Sequence, residues 1–201
     1  MSATSQDGYR EHSAQDSQKA VANLGAKISS ELESRFYMGA VRSRSQLPGY
    51  LTRAQLRDDP TAAQDPSWAD SFQRRDVDAY RVANKTVFTR GDYQLEVAAY
   101  AMRNELWHPI QWGQIRQDTE TFGGHLKLSD RSSLLGRANL LTVGYLPDIG
   151  TTDGSTDGNG YRQRARNHRF LLEDRFALTG ATTLTNLGGA VNNPIGKGIR
   201  R

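Results

Sequence analysis

Three observations predict an all-β fold of antiparallel, up-and-down strands: a period-two alternation of side chains, unusually long strands, and connections that alternate short with long. The alternation is clearest after Tyr93, where Tyr93, Leu95, Val97, Ala99 and Ala101 take one phase and Gln94, Glu96, Ala98, Tyr100 and Met102 the other. Such a pattern sends successive side chains to opposite faces of a sheet. The predicted strands run near the roughly 9–11 residues that a tilted strand needs to cross a bilayer, whereas soluble strands peak at about 5–6. Short turns at one end and long loops at the other are the asymmetry of a transmembrane β-barrel, so the sheet is expected to be part of one, with its long loops on one side.

In chain order, residues 1–16 are polar and without period, and read as an N-terminal loop. Residues 17–28 place Ala20, Ala22, Leu24, Ala26 and Ile28 in one phase, turn at Ser29-Ser30-Glu31, and return over 32–44 with Leu32, Phe36, Met38 and Ala40 in phase. Residues 46–75 form a long connection in which Thr52 caps a helical turn through Gln55–Arg57 that Pro60 limits. Strands follow at 80–88 and from Tyr93, separated by Thr89-Arg90-Gly91-Asp92, then at 119–128 and 137–145. Residues 108–117 and 147–166 read as long loops, the second for its TTDGSTDGNG run of turn-forming residues. Residues 167–178 and 182–191 complete about eight strands, and 192–201 read as an unstructured tail. The domain division is therefore 1–16 loop, 17–191 partial barrel, 192–201 tail.

Composition bounds the function. Hydrophobic residues make up 36% and the mean hydropathy is −0.69, with no run approaching a membrane helix, a test that barrels escape because only alternate residues face lipid. The absence of cysteine excludes disulfides and thiolate metal sites. The 26 basic and 22 acidic residues are dispersed, without the basic stripe of a nucleic-acid binder. The start, MSATSQDGYREHSAQDSQ, has no basic-then-apolar signal pattern, so the chain is expected to be a fragment or to be exported by means outside it.

No nucleophile–base pair, phosphate loop or carboxylate dyad stands out, so neither an enzyme nor a cofactor is expected. The four histidines lack metal-ligand spacing. Asp153-x-Ser155-x-Asp157-Gly158 partly matches a calcium loop, but the position of the required Glu holds Arg164. Trp107, Trp112, Phe122 and Tyr145 suit either an interfacial aromatic girdle or ordinary sheet packing. Glu96, Lys127, Glu173 and Arg175 are expected to pair across a polar interior. Arginines bordering the long loops suit an anionic ligand, lipopolysaccharide phosphates or a solvated surface.

The stretches DGYREHSAQDSQKAVANLGAKISSELESRFYMGAV, QLPGYLTRAQL, RRDVDAYRVANKT and LLEDRFALTGATTLTNLGGAV resemble the barrel of TonB-dependent outer-membrane receptors of the ferric-siderophore type, over about residues 6–191. The resemblance implies a barrel of about 22 strands around a plug domain, a ferric siderophore or similar ligand bound from outside, and energy through the TonB complex. It also implies an outer-membrane location among lipid and lipopolysaccharide. No stretch of this sequence is expected to supply a plug, a TonB-contacting segment or a terminal aromatic strand, so transport is expected of the complete receptor only. The candidate ligand-binding residues are Arg74, Arg75, His108, Trp112 and Arg164. A small closed outer-membrane barrel, acting as an adhesin or pore, and a soluble β-sandwich binding module are the alternatives.

Overall fold

The computed structural model describes residues 1–64, 73–110, 113–192 and 195–198. It contains ten strands and one short helix: β1 (Ser2–Gln6), β2 (Gln15–Lys27), β3 (Leu32–Gln46), α1 (Arg53–Asp58), β4 (Arg74–Arg90), β5 (Tyr93–Ile110), β6 (Gly113–Asp130), β7 (Asn139–Thr156), β8 (Asn159–Ala177), β9 (Thr183–Asn192) and β10 (Ile195–Gly198). They form one antiparallel sheet in which every strand from β1 to β8 pairs with its neighbours in sequence. Both β9 and β10 pair with β8, and in one register: His168↔Asn192 and Ala165↔Ile195 lie on the same continuous diagonal. The path is open, since no pairing joins β1 or β2 to β9 or β10 among the described residues. Neither a small closed barrel nor a second layer packed as a sandwich is present there.

The strands are longer than the sequence pattern suggests, and this corrects three expectations. β5 runs on to Ile110 and β6 starts at Gly113, with Ile110 paired to Gly113, so His108 lies in a strand and not in a long loop. β7 and β8 likewise continue through 147–166 and meet at a two-residue turn. In that turn Asp157 (φ 51) and Gly158 (φ 81) both take positive φ, the requirement of a type I′ hairpin, which Asp-Gly meets at little cost. At the other end Gly91 (φ 57) occupies the first central position between Arg90 and Tyr93. The third correction concerns the termini: Ser2–Gln6 pairs with Gln15–Lys19 instead of forming a loop, and Ile195–Gly198 pairs with β8 instead of trailing free. These segments escape the pattern because they bear no apolar alternation.

The long connection after β3 is present. Thr52 and Gln55 make a reciprocal capping box at α1, as the sequence indicates. The connection is pinned to the β1–β2 link by Arg10, whose Nε donates to Ala62 O (3.0 Å), Nη1 to Gly49 O (2.8 Å) and Nη2 to Pro48 O (3.3 Å). Glu11 N donates to Thr61 O at 2.7 Å beside it. The loop-bearing end of the sheet thus carries one joined body of loop, while its other end carries turns.

Registered positions share a face, and the two faces differ. One carries Leu24, Phe36, Val82, Val97, Phe122, Leu126, Val143 and Phe170, all at least 43% exposed. The apolar band spans Tyr80–Phe88 on β4 and Leu141–Ile149 on β7, about nine residues at about 3.3 Å each, or roughly 30 Å. Tilted by the usual ~40°, such strands give a band about 23 Å tall, close to the ~25 Å apolar belt of membrane barrels. The opposite face carries Asn23, Lys85, Glu96, His125, Lys127, Asp148 and Arg169. Among the described residues only Asp76, Pro109 and Thr142 are buried, and no aliphatic or aromatic core side chain is. A soluble protein does the reverse, because leaving a Leu, Val or Phe in water forgoes about 1.5–3 kcal/mol of burial free energy per side chain.

Candidate ligand-facing surfaces at the loop-bearing end

The polar face is held together by charge. Glu96 on β5 accepts from Lys127 (2.7 Å) and His125 (2.6 Å) on β6 and from Lys85 (3.3 Å) on β4, so three strands converge on one carboxylate. Asp148 accepts from Asn167 (2.6 Å) and Arg169 (2.8 Å), and Glu173 pairs with Arg175 at 2.5 Å. The pairing predicted for Glu96, Lys127, Glu173 and Arg175 is thus present, Lys127 with Glu96 and Arg175 with Glu173. Nearer the loop-bearing end this face turns to uncharged donors and acceptors, with Thr119 to Thr152 at 3.0 Å and Gln117 to Tyr161 Oη at 2.6 Å.

The five candidate ligand-binding residues do not meet. His108 sits on the polar face, its Nδ1 2.8 Å from Arg74 O, a geometry in which Nδ1 carries a proton and donates to the carbonyl. One residue beyond the last β4–β5 pair, Arg75 falls opposite His108 on this face. Arg74 is on the opposite face, where its guanidinium lies 4.1 Å above the Trp107 ring and its Nε is 3.2 Å from Asp76 Oδ2. Arg164 is also on that face, opposite Thr151 and Gly196, several rows toward the apolar band. Trp112 lies outside the described residues. Only Arg75 and His108 form a pair that faces the same side as the polar surface.

Of the proposed girdle aromatics, Phe122 is in the upper part of the apolar band, while Tyr145 is in its middle, stacked on His168 and tilted against Phe170, its hydroxyl 2.7 Å from His168 Nδ1. The residues that flank the band are Tyr80 and Tyr93, both more than half exposed, with Trp107 further up. Tyr80 and Tyr93 begin or end the apolar phase of their strands, which is the signal that could have picked them out.

Beyond the band, the same face becomes charged and cross-linked. Arg44 meets Asp78 at 2.5 Å and Asp76 at 3.6 Å; Arg103 meets Asp118 at 2.6 Å and Glu105 at 2.9 Å; Arg162 meets Asp153 at 2.6 Å. The hydrogen bond to Asp78 raises the Arg44 pKa above its usual value, and Asp153 does the same for Arg162. These pairs offset the repulsion among Asp78, Glu105, Asp118 and Asp153, which stand directly opposite one another on four successive strands.

No protein-family model matches the sequence, and no curated protein is similar to it. Solved structures are similar in fold. The ferric citrate transporter FecA in its unliganded form superposes with a TM-score of 0.76 over 92% of this chain, at 13% identity. FpvAI in its complex with pyocin S2 gives 0.78 over 99%, at 12% identity. The alcaligin outer-membrane receptor FauA from Bordetella pertussis gives 0.70 over 94%, at 10% identity. The chain covers 34%, 33% and 31% of those chains, about a third of each. At such identity the likeness is one of fold: this sheet has the architecture of a sector of a transmembrane β-barrel.

Proposed function

We propose that this chain is a sector of the barrel wall of an outer-membrane receptor that imports a ferric siderophore or a similar large nutrient, driven by the TonB complex. The observation that carries the reading is the superposition of nearly the whole chain on FecA and FpvAI, joined to a lipid-height apolar band backed by a polar, ion-paired face. In this reading the apolar face meets lipid and the polar face lines the lumen, where a plug domain of the complete receptor rests on the Glu96 network. The loop-bearing end is the outer one, since barrels of this kind keep short turns on the periplasmic side. Arg75 and His108 then stand inside the outer mouth, a cation and a hydrogen-bonding imidazole suited to an anionic ferric complex. The role is binding and passage, without chemistry on the ligand.

The test starts with the full chain refolded into phospholipid vesicles. The expected result is β-structure by circular dichroism that appears with lipid and is protected from added protease across the apolar band. A monodisperse, cooperatively melting monomer in plain buffer would overturn the membrane reading. Ferric citrate is then titrated against the vesicle-bound chain with intrinsic tryptophan fluorescence as readout. Saturable quenching that Arg75→Ala weakens by about ten-fold, the loss of one charge-assisted contact, supports the ligand assignment.

A further inference from the structure

The inner face of the sheet divides at the row of Tyr100, Gly123 and Asp148. From that row toward the turns, the strand carboxylates of this face are Glu33, Glu96, Asp148 and Glu173, and each is paired with a cation. From the next row toward the loop-bearing end, the described strand residues of this face include no carboxylate. They include three cations, Lys19, Arg75 and Arg81, whose side chains make no ion pair or hydrogen bond among the described residues. Around them stand hydroxyl, amide and apolar side chains and the His108 imidazole, so the field of this surface is positive and draws anions.

Two of these cations meet at one place. Lys19 on β2 and Arg81 on β4 flank β3 from either side, in the adjacent rows Lys19↔Val41 and Gly39↔Arg81. Their Cα atoms stand about 12 Å apart on strand spacings of ~4.8 Å and a rise of ~3.3 Å per residue, so both long side chains reach one carboxylate. Between them a recess of about 280 Å³ is walled by Val21, Val41 and Met102 and floored by Gly39. A Cβ at Gly39 would meet only Val21 Cγ1 at 3.9 Å and Ala20 O at 4.0 Å, and its φ is not positive, so neither crowding nor conformation demands glycine. At Gly123 and Gly154, by contrast, the rings of Tyr100 and Tyr161 lie over the glycine. The floor at Gly39 is left open, with apolar walls and a cationic rim. A planar ring fits over bare strand backbone, and the Met102 thioether suits a ring edge. A carboxylate on that ring accepts from the Arg81 guanidinium and the Lys19 ammonium. We infer that this recess seats an aromatic carboxylate, its ring over Gly39 and its charge between Lys19 and Arg81. The inference rests on the reading of this face as the lumen, and it adds an anion station about 20 Å further down β4 from Arg75, at ~3.3 Å per residue. The group arrives either as a free acid or as a pendant of a larger iron complex, since both present the same ring and charge.

The test uses the full chain refolded into phospholipid vesicles, with para-fluorobenzoate as probe and its fluorine NMR signal as readout. A saturable shift is expected for para-fluorobenzoate and none for para-fluorobenzyl alcohol, which has the ring without the charge. Arg81→Gln should weaken binding by about ten-fold, the loss of one charge-assisted contact. Gly39→Val fills the floor with a residue that suits a strand, and should abolish the shift while the circular dichroism stays as it was. Lys27→Gln, which removes a cation of the same face outside the recess, should leave binding unchanged. Should Arg81→Gln fail to insert, Gly39→Val decides the matter. A chain that gains no β-structure with lipid overturns the membrane reading and this seat with it. A chain that inserts but gives no saturable shift, shifts the alcohol equally, or binds as well with Gly39→Val overturns the seat alone. Salicylate and its ferric complex then compete for the probe: stronger competition by the complex identifies a pendant group, and stronger competition by salicylate a free acid. Displacement by polyglutamate but not by salicylate would assign this surface to an acidic chain segment and overturn the proposal.

Discussion

The same strands pass through two regions that follow opposite rules. In the rows from Tyr80 to Phe88 on β4 and Tyr93 to Ala101 on β5, most large apolar residues take the outward phase, Tyr80, Val82 and Phe88, then Leu95 and Val97, with Asn84 and Thr86 between them bonded to Ser34. Above them the phase inverts. Val77 and Ala79 on β4, Met102 and Leu106 on β5, Ile115 on β6 and Tyr161 and Ala165 on β8 belong to the inner face, while Asp76, Asp78, Arg103, Glu105, Arg116 and Arg162 point outward. Backbone pairing continues across the inversion without a break. In the proposed barrel wall, what changes is the medium against which each face is set, and the inversion marks the level at which lipid gives way to water.

The comparison breaks most visibly if a charge is placed on the outward phase of the lower region. Leu126→Arg, in mid-band and half exposed, is expected to destabilise the lipid-inserted chain by about 2–4 kcal/mol, the range for a cation at the bilayer midplane. Ser155→Arg, on the same face above the inversion, should change stability by less than ~0.5 kcal/mol, as surface substitutions do. Urea titration in vesicles measures both, and equal effects would dissolve the distinction between the two regions.

On the inner face of the lower region, Glu96→Gln removes the charge shared by Lys85, Lys127 and His125. A loss of about 2 kcal/mol is expected, that of a charged hydrogen-bonded group, and Glu96→Gln with Lys127→Gln together should cost less than the sum of the two. A double-mutant cycle by urea titration reads the coupling.

The upper region is tested at its tip. Gly158→Val forces a branched residue into φ 81, and the roughly 1–2 kcal/mol cost of a left-handed residue should appear as faster amide exchange at Thr156 and Asn159, with the band unaffected. Uniform loss of protection in both regions would show that they do not open separately.

The smallest effect is expected in the loop. Asp59 is held below its ordinary pKa of 3.8, first by the Thr61 hydroxyl at 2.6 Å and then by the Thr61 amide at 2.8 Å. A carboxylate with a depressed folded pKa stabilises the loop above its unfolded value and ceases to do so as pH falls through the folded value. Exchange at the Thr61 amide should therefore be protected at pH 5 and lose that protection only as pH falls below the ordinary 3.8 and through the depressed folded value, while Asp59→Asn should be insensitive over the same interval.

How much of this was legible in the sequence follows from the inversion. The strands of the lower region were readable because one phase stays apolar for about nine residues, the length set by the membrane. The upper region kept a period of two, but in the opposite phase and with charged outward residues, so 108–117 and 147–166 read as loops. The Asp157-Gly158 pair carried the I′ signal and was absorbed into a run of other turn formers. The capping box was legible because Thr52 and Gln55 are local to each other. The charged cluster beyond the band was not, since Asp78, Glu105 and Asp118 come from three strands and meet only through register.

The guanidinium of Arg10 ties down chain on both sides of α1, at Pro48 and Gly49 before it and at Ala62 after it. α1 itself buries nothing and carries Arg57 in its last turn, where the Arg57–Asp58 bond is open to trypsin. Cutting there would create two new chain ends, each still held to the same side chain. The nicked molecule would run as two fragments in denaturant while remaining one folded body without it, so this loop can lose its covalent continuity before it loses its place.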